Sequence, residues 1–260
     1  GLDGHNVKSV DFVDHLKDAY ARLKVSLPST VYSSKNVHDG SPLQWRDKIT
    51  GGATIAFDAT LGAMDLATTT ASSDIMIRQT NRYIGFEPGK SQMVRVACAF
   101  GTLENTRRRA GYYDDNNGVF LENDGVDNYF VFRTNITGIP IDVRVAQADW
   151  NLDTFDPYDP EKTIVVVFDM QWMFGRMRCG FDFGNGIQWC HFFDTHQTTT
   201  LLSLRAGSLP VRCELENTAG IPAPAHFRLY SATVFSEGTH KPPFWKFFAT
   251  TGTFKTSGIT

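Results

Sequence analysis

The chain has 260 residues, of which 42% are hydrophobic and 20% are charged, a balance that allows a buried globular core. Its net charge of −3 gives no electrostatic footprint for nucleic acid, and no apolar run reaches the roughly 18 residues that a membrane span needs. Aromatic residues make up 13%, including 20 Phe, which favours strands over helices. We therefore expect an all-β protein that neither binds nucleic acid nor inserts into a membrane.

Residues 1–44 are predicted to form an N-terminal arm, because their apolar residues are too sparse for a sandwich strand. Within this arm, Ser9–Lys24 is expected to be a short amphipathic helix that begins at Ser9. The chain is then expected to be extended through Val31-Tyr32 and to enter a loop at Asn36–Pro42. The helix prediction rests on the three- and four-residue spacing of Val13, Leu16, Tyr20 and Leu23.

From Trp45 onward, short segments alternate apolar and polar residues and are separated by turn residues, which is typical of strands. Their near-regular spacing predicts a β-sandwich of jelly-roll or concanavalin-like type over residues 45–240. Residues 241–260 are aromatic at first and then rich in Gly, Thr and Ser. We expect this tail to be either a second arm or the last strand of the sandwich.

The stretch Ile164–Phe193 carries the strongest strand signal. Its two alternating segments meet at Gly184-Asn185-Gly186. This pattern predicts a β-hairpin, since a type I′ turn needs φ > 0 at both central residues and Asn-Gly supplies them. Either Gly184-Asn185 or Asn185-Gly186 forms the turn, and a one-residue slip changes every cross-strand pair. Four residues are expected on one face of the first strand, namely Met177, Cys179, Phe181 and Phe183.

The four cysteines each lie inside an apolar alternating segment, at Cys98, Cys179, Cys190 and Cys213. None is part of a CxxC pair or a Cys/His pair with zinc spacing, so a structural zinc site is not expected. We predict four reduced, buried thiols. The alternative is a disulfide between Cys179 and Cys190, which face each other if Gly184-Asn185 forms the turn.

The segment Asp114-Asp115-Asn116-Asn117 concentrates oxygen atoms and is a candidate ligand or calcium loop. Calcium takes six to eight oxygens, usually from alternating loop positions, and that alternation is missing here. A tight hairpin turn explains the same residues, since Asn and Asp tolerate the left-handed conformation. We expect the turn and keep the calcium loop as the alternative.

Glu214 and Glu216 lie on one face of a predicted strand, with Arg212 beside them. Paired acids on such a strand resemble a family of sandwich-fold glycoside hydrolases that place acids at i, i+2 and i+4. The third position here is Thr218, so the set is incomplete and a salt-bridged strand face is expected instead. No Ser or Cys lies in a nucleophile-elbow context. We therefore predict that the chain is not an enzyme and needs no cofactor or metal.

Several long motifs stand out along the chain, at Asp18–Ser26, Arg78–Thr80, Pro88–Gln92, Gly111–Phe120, Arg144–Asn151 and Leu209–Arg212. They resemble virion structural proteins of tailed phages and large DNA viruses. The resemblance implies a non-enzymatic structural role in the particle, as a capsid, vertex, fibre or tail-associated subunit assembled in the host cell cytoplasm. It also implies that the partners are other copies of the chain and other virion proteins.

Aromatic residues on arms have little core to enter, so we expect those of this chain to contact partners. For the tail, the alternative is that Phe244–Phe248 folds back as a last strand. The partner-contact candidates are Tyr20, Trp45, Phe244, Trp245, Phe247 and Phe248.

The alternative function is a carbohydrate-binding, lectin-like module for receptor attachment. It would need an exposed aromatic platform beside carboxylates, which Trp150 or Tyr158 could form with Asp153 and Asp156. Exposure of these aromatic rings would favour it, and their burial would count against it.

Overall fold

The structure is a computed structural model that describes residues 28–87, 89–155, 159–171, 175–184, 186–194 and 204–238. Several predictions fall on other residues and lie outside the described ones. These are the helix Ser9–Lys24, the contact candidates Tyr20, Phe244, Trp245, Phe247 and Phe248, the platform residues Asp156 and Tyr158, and the tail 241–260.

The described residues form strands joined by turns and loops, with a short 3₁₀ turn at Gln147–Asp149. No helix in this part of the chain has the length and apolar character needed to cross a membrane. The strands are β1 Ser29–Lys35, β2 Trp45–Thr50, β3 Thr54–Asp58, β4 Ala63–Ala67, β5 Ile75–Thr80, β6 Gln92–Ala99, β7 Thr106–Tyr113, β8 Gly118–Asn123, β9 Asn128–Thr134, β10 Ile141–Ala146, β11 Ile164–Gln171, β12 Arg176–Asp182, β13 Ile187–Asp194, β14 Val211–Asn217 and β15 His226–Ser236.

These strands make two antiparallel sheets that pack face to face. The larger sheet has eight strands in the order β13-β12-β11-β6-β15-β4-β3, with β1 also paired to β15. The smaller sheet has seven strands in the order β10-β9-β8-β7-β14-β5-β2. One continuous hydrophobic core lies between them. The predicted all-β sandwich is therefore confirmed.

Alternation along each strand decides which residues enter this core, because successive side chains point to opposite faces of a sheet. Val94, Val96 and Cys98 of β6 point inward and are fully buried. From the opposite sheet, Ala110 and Tyr112 of β7 enter the same core. The same alternation sends a group of charged residues to the outer face of the smaller sheet, namely Arg107, Arg109, Glu122, Arg212, Glu214 and Glu216. Arg108 and Asn123 lie instead on the inner side with Ala110.

The N-terminal segment is part of the sandwich from residue 29 onward, which differs from the predicted arm 1–44. Its strand β1 pairs with β15, with Ser29 opposite Ser236 and Lys35 opposite Ser231. Asn36 adds a side-chain hydrogen bond to the carbonyl of Leu229. Few apolar residues were needed here, since backbone pairing with a distant strand holds the segment.

Trp45 is a core residue, so its prediction as a partner contact is wrong. Only 3% of it is exposed, and its indole N–H donates to Ser34 Oγ at 2.8 Å. The guanidinium of Arg78 lies over the ring, 5.2 Å from its centroid. Because β1 provides Ser34 and closes over the ring, the indole contacts its own sandwich.

The predicted hairpin is present as β12 and β13, with Asp182 opposite Ile187. A bulge at Cys179/Gly180 then shifts the register, so Cys179 faces His191 and not Cys190. All four cysteines are free and buried, which confirms the predicted thiols. Of the residues expected on the inner face, Phe183 lies past the end of β12 and is 47% exposed.

Candidate functional site

The outer face of the smaller sheet carries a dense group of charged side chains. Register brings β7, β8 and β14 side by side, with Arg109 opposite both Glu122 and Glu214. Directly opposite residues share one face of a sheet, so these three side chains meet over its centre. We call the charged group the outer-face cluster, and it consists of Arg107, Arg109, Glu122, Arg144, Arg212, Glu214 and Glu216.

Arg109 is the centre of this cluster. Its Nε lies 2.5 Å from Glu122 Oε2, and its Nη1 lies 3.1 Å from Glu214 Oε2. Arg144 Nη2 forms an ion pair with the other oxygen of Glu122, Oε1, at 2.6 Å. Burial alone would lower the pKa of Arg109, but the Glu122 and Glu214 carboxylates outweigh it and raise that pKa above its ordinary value. The guanidinium is therefore a permanent cation held between carboxylates.

The acid pair Glu214 and Glu216 is bound by arginines within this cluster. Arg212 Nη2 lies 2.5 Å from Glu214 Oε1, and Arg107 forms an ion pair with Glu216. A glycosidase needs two carboxyl groups that face the scissile bond of a bound sugar. Here both carboxyl groups are engaged by arginine side chains of the same strand face. The predicted salt-bridged strand face is confirmed.

A small apolar cluster lies beside these charges on the same outer face. Tyr113, Phe120 and Val131 are each fully buried, and Arg133 and Arg212 lie over the Tyr113 ring at 5.9 and 5.4 Å. Burial, with Glu214 adding to it, raises the pKa of the Tyr113 hydroxyl well above its ordinary value. With its rings covered and its charges paired, the centre of this face is closed to a ligand.

The candidate calcium loop, residues 114–117, forms the turn between β7 and β8. Asp114 Oδ1 accepts the backbone N–H groups of Asn116 and Asn117, both at 2.8 Å. Asp115 Oδ1 accepts from Arg212 at 2.7 Å, and Asn116 Oδ1 accepts from Asn135 at 2.7 Å. Among the described residues no three His, Cys, Asp or Glu side chains are grouped as a metal site would need. Calcium binding remains a prediction for a loop whose oxygens already have protein partners.

The predicted aromatic platform at Trp150 is absent. Trp150 is 5% exposed, stacks on Phe130 with ring centroids 4.4 Å apart, and donates its indole N–H to the carbonyl of Val145. Asp153 accepts a hydrogen bond from Gln188 at 2.6 Å. Burial of this ring counts against sugar stacking at the position that the sequence suggested.

An open cavity of about 590 Å³ lies at one end of the sandwich, where three loops meet. The loop after β6 is fixed to the loop before β11 by hydrogen bonds from the N–H groups of Phe100 and Gly101 to the carbonyl of Pro160. We call this cavity the loop-end pocket. Its lining residues are Ala99, Gly101, Thr102, Leu103, Glu104, Asn105, Arg108, Glu161, Pro222, Ala223, Pro224, Ala225, His226 and Arg228.

The loop-end pocket combines hydrogen-bonding groups with small apolar surfaces. Thr102 donates to Glu161 at 2.7 Å on one side. Arg108 is a buried part of the wall and donates to the carbonyl of Leu103 and to Asn123 Oδ1, both at 3.3 Å. The lining holds two carboxylates, Glu104 and Glu161, and two guanidiniums, so its formal charge nearly cancels. A pocket of this size with both donors and acceptors fits a small neutral polar ligand.

No protein-family model and no curated protein matches the sequence. Solved structures share the fold at low identity. One is a β-glucanase of Bacillus licheniformis, with 12% identity, a TM-score of 0.54, and coverage of 82% of this chain and 99% of that chain. A glycosyl hydrolase family protein of Mycobacterium fortuitum has 10% identity, a TM-score of 0.55, and coverage of 79% and 99%. An endo-1,3-β-glucanase of Streptomyces sioyaensis has 9% identity, a TM-score of 0.56, and coverage of 82% and 97%.

These likenesses bear on the fold and on the leading functional prediction. They agree with the expected jelly-roll or concanavalin-like sandwich. The prediction of a non-enzymatic virion structural protein as the main function is wrong, because the structures that share this fold are two glucanases and a glycosyl hydrolase family protein. The sequence resemblance to virion proteins itself, and with it a location in a virion, is not tested by them and stays a prediction.

Proposed function

We propose that the chain is a carbohydrate-binding module that holds a neutral glycan in the loop-end pocket and does not cleave it. The observation that carries the proposal is the pocket itself, an open cavity of about 590 Å³ in a sandwich of the glucanase type. Hydroxyl-rich ligands need donors and acceptors in nearly equal number, and the lining supplies both. The apolar surfaces of Pro222 and Ala223 can contact the C–H face of a sugar ring.

Binding without cleavage is supported by the state of the two strand acids. Glu214 and Glu216 are each bound by an arginine, and Glu214 is nearly buried. Both carboxyl groups are therefore engaged within the chain, whereas a glycosidase directs two carboxyl groups at the scissile bond. The glucanase-like fold is therefore compatible with recognition alone, since unrelated activities share a fold and function depends on the site.

The experiment blocks the pocket from its rim. Ala223 is an exposed lining residue, so Ala223→Trp fills the cavity without disturbing the core. Ala71→Trp, at an exposed alanine outside the lining, is the matched control. Soluble β-1,3-glucan oligosaccharides and a neutral glycan array are the probes, and binding is measured by calorimetry alongside a reducing-end assay.

We expect the unmodified chain and Ala71→Trp to bind a neutral glycan equally and to release no reducing ends. Ala223→Trp is expected to weaken binding by at least about tenfold, or about 1.4 kcal/mol. Absence of binding to every neutral glycan, or equal binding by Ala223→Trp, would overturn the proposal. Release of reducing ends would replace it with a hydrolase.

A further inference from the structure

Strand β10 forms an outer edge of the smaller sheet and carries exposed apolar side chains. Among the described residues it has one strand neighbour, β9. Ile141 is 48% exposed and Val143 is 46% exposed, on the same face of the strand. An exposed edge with apolar side chains is a template for pairing with another strand.

The direction of the β10 backbone groups follows from the preceding hairpin. Asp124 donates its N–H to the carbonyl of Asp127, and hydrogen-bonded pairs alternate along an antiparallel ladder. Glu122 and Phe120 therefore bond to β9 through Tyr129 and Val131. The intervening residues Phe130 and Phe132 turn their backbone groups toward β10.

On β10 the partners of Phe130 and Phe132 are Val145 and Val143. The backbone groups of these two valines therefore face β9. By alternation, Asp142 and Arg144 direct their N–H and C=O groups away from β9, toward the open edge. The edge thus presents donors and acceptors at the two charged positions of the strand.

The sequence of β10 complements itself about Val143. In an antiparallel pair of two identical strands centred on this residue, Val143 faces its own copy and Asp142 faces Arg144 of the second strand. Each Asp142/Arg144 pair exchanges both backbone hydrogen bonds and places opposite charges side by side. On the other face, Ile141 of each copy meets Val145.

The two charged side chains keep exposed surface for this contact. Arg144 is 42% exposed although it contacts Glu122, and Asp142 is 25% exposed although Arg133 binds it. A carboxylate and a guanidinium can each serve two partners, since both have several hydrogen-bonding positions. The intrachain ion pairs therefore persist when a second strand arrives.

The opposite edge of the same sheet, β2, does not have this property. Its residues Arg46, Asp47 and Lys48 are exposed. Antiparallel self-pairing centred on Arg46 or Lys48 places a basic residue against its own copy. Centring on Asp47 opposes two aspartates and sets Arg46 against Lys48. Each of these three registers brings like charges together, and charges on an edge strand are one way in which natural sheets protect an edge.

We propose that the chain forms a two-fold symmetric dimer in which β10 pairs with β10 of a second copy and joins the two smaller sheets. A two-fold interface uses the same patch on both subunits, as the self-complementarity about Val143 requires. This dimer does not depend on glycan binding.

The test is the mass in solution, measured by light scattering on the full chain at a low and a high concentration. We expect about twice the 29.0 kDa of the single chain at the high concentration. Val143→Lys places like charges on the axis and is expected to give the single-chain mass. The control is Ile49→Lys on β2, which is 45% exposed and should leave the dimer intact.

A second variant distinguishes loss of pairing from loss of folding. Val143→Cys should form a disulfide-linked dimer under mild oxidation, because non-hydrogen-bonded opposite residues approach most closely. Ile49→Cys should not. A single-chain mass at both concentrations, a dimer that persists in Val143→Lys, or no cross-link in Val143→Cys would each overturn the proposal.

Discussion

The outer-face cluster and the loop-end pocket both contain glutamates and arginines, but their glutamates differ in exposure to solvent. In the cluster, Glu122 is 1% exposed and each of its oxygens meets an arginine. In the pocket, Glu104 and Glu161 are exposed, and they line open space. A group of charges on a sandwich face is thus a site only where the charges remain open to solvent. Stability depends on the cluster, and the proposed glycan recognition depends on the pocket.

The largest loss of stability is expected when Glu122, the carboxylate that two arginines of the cluster share, is removed. Glu122→Ala removes the carboxylate that Arg109 and Arg144 share. Because Arg109 keeps Glu214 and Arg144 is 42% exposed, we expect a loss of about 2–3 kcal/mol of unfolding free energy, less than for a buried charge with no partner. Urea denaturation measures the change. A loss below about 1 kcal/mol would show that the centre is hydrated and that the contrast with the pocket is wrong.

Glu216→Ala is the matched control at the rim of the same face. Glu216 and its partner Arg107 are 25% and 34% exposed, so water replaces much of what the ion pair supplies. We expect a loss of less than about 1 kcal/mol in the same denaturation experiment. Equal losses for the two glutamates would remove the distinction between centre and rim.

Lowering the pH should reduce the stability of the fold through Asp142, which lies beside the outer-face cluster. Burial acts to raise the pKa of its carboxyl, but hydrogen bonds from Arg133, at 2.7 and 2.8 Å, and the charge of Arg133 outweigh burial and lower that pKa. A group whose pKa is lowered by folding stabilises the fold above its unfolded pKa. That contribution is lost as the pH falls through the folded pKa.

We therefore expect Asp142→Asn to cost about 1 kcal/mol at pH 7, and the difference from the unmodified chain to shrink as the pH falls below the ordinary aspartate pKa of about 4. Denaturation curves across this range measure it. A constant difference at every pH would mean that the carboxylate charge has no part in the stabilisation.

The sequence predicted most of the strands, because the alternation of apolar and polar residues within a short segment indicates which side chains are buried. It also predicted the paired state of Glu214, since Arg212 is visible two residues away. It could not predict that Arg109 and Glu122 complete the network, because this contact depends on the register of three strands.

Other features escaped prediction because they come from distant parts of the chain. Trp45 was predicted as a partner contact, yet it is covered by β1, a strand that pairs with β15 near the other end of the described chain. The loop-end pocket combines loops near residues 102, 161 and 223, none of which carries a motif alone. The bulge beside Cys179 goes with a change in local strand twist, and the pattern of apolar and polar residues does not indicate such a change.

The smallest change in stability is expected at the turn between β7 and β8, whose tip is exposed to solvent and which belongs to neither the outer-face cluster nor the loop-end pocket. Asp115 is 81% exposed, and its contact with Arg212 is a surface ion pair at 2.7 Å. Asp115→Ala should cost about 0.5 kcal/mol or less. The matched control is Asp159→Ala, a partly exposed acid that pairs with Lys162 in a different loop from this turn. The unmodified chain should have the same Tm in excess calcium and in excess chelator, because the oxygens of Asp114 and Asn116 already accept hydrogen bonds. A calcium-dependent rise in Tm that Asp115→Ala removes and Asp159→Ala keeps would instead establish a metal site in this turn.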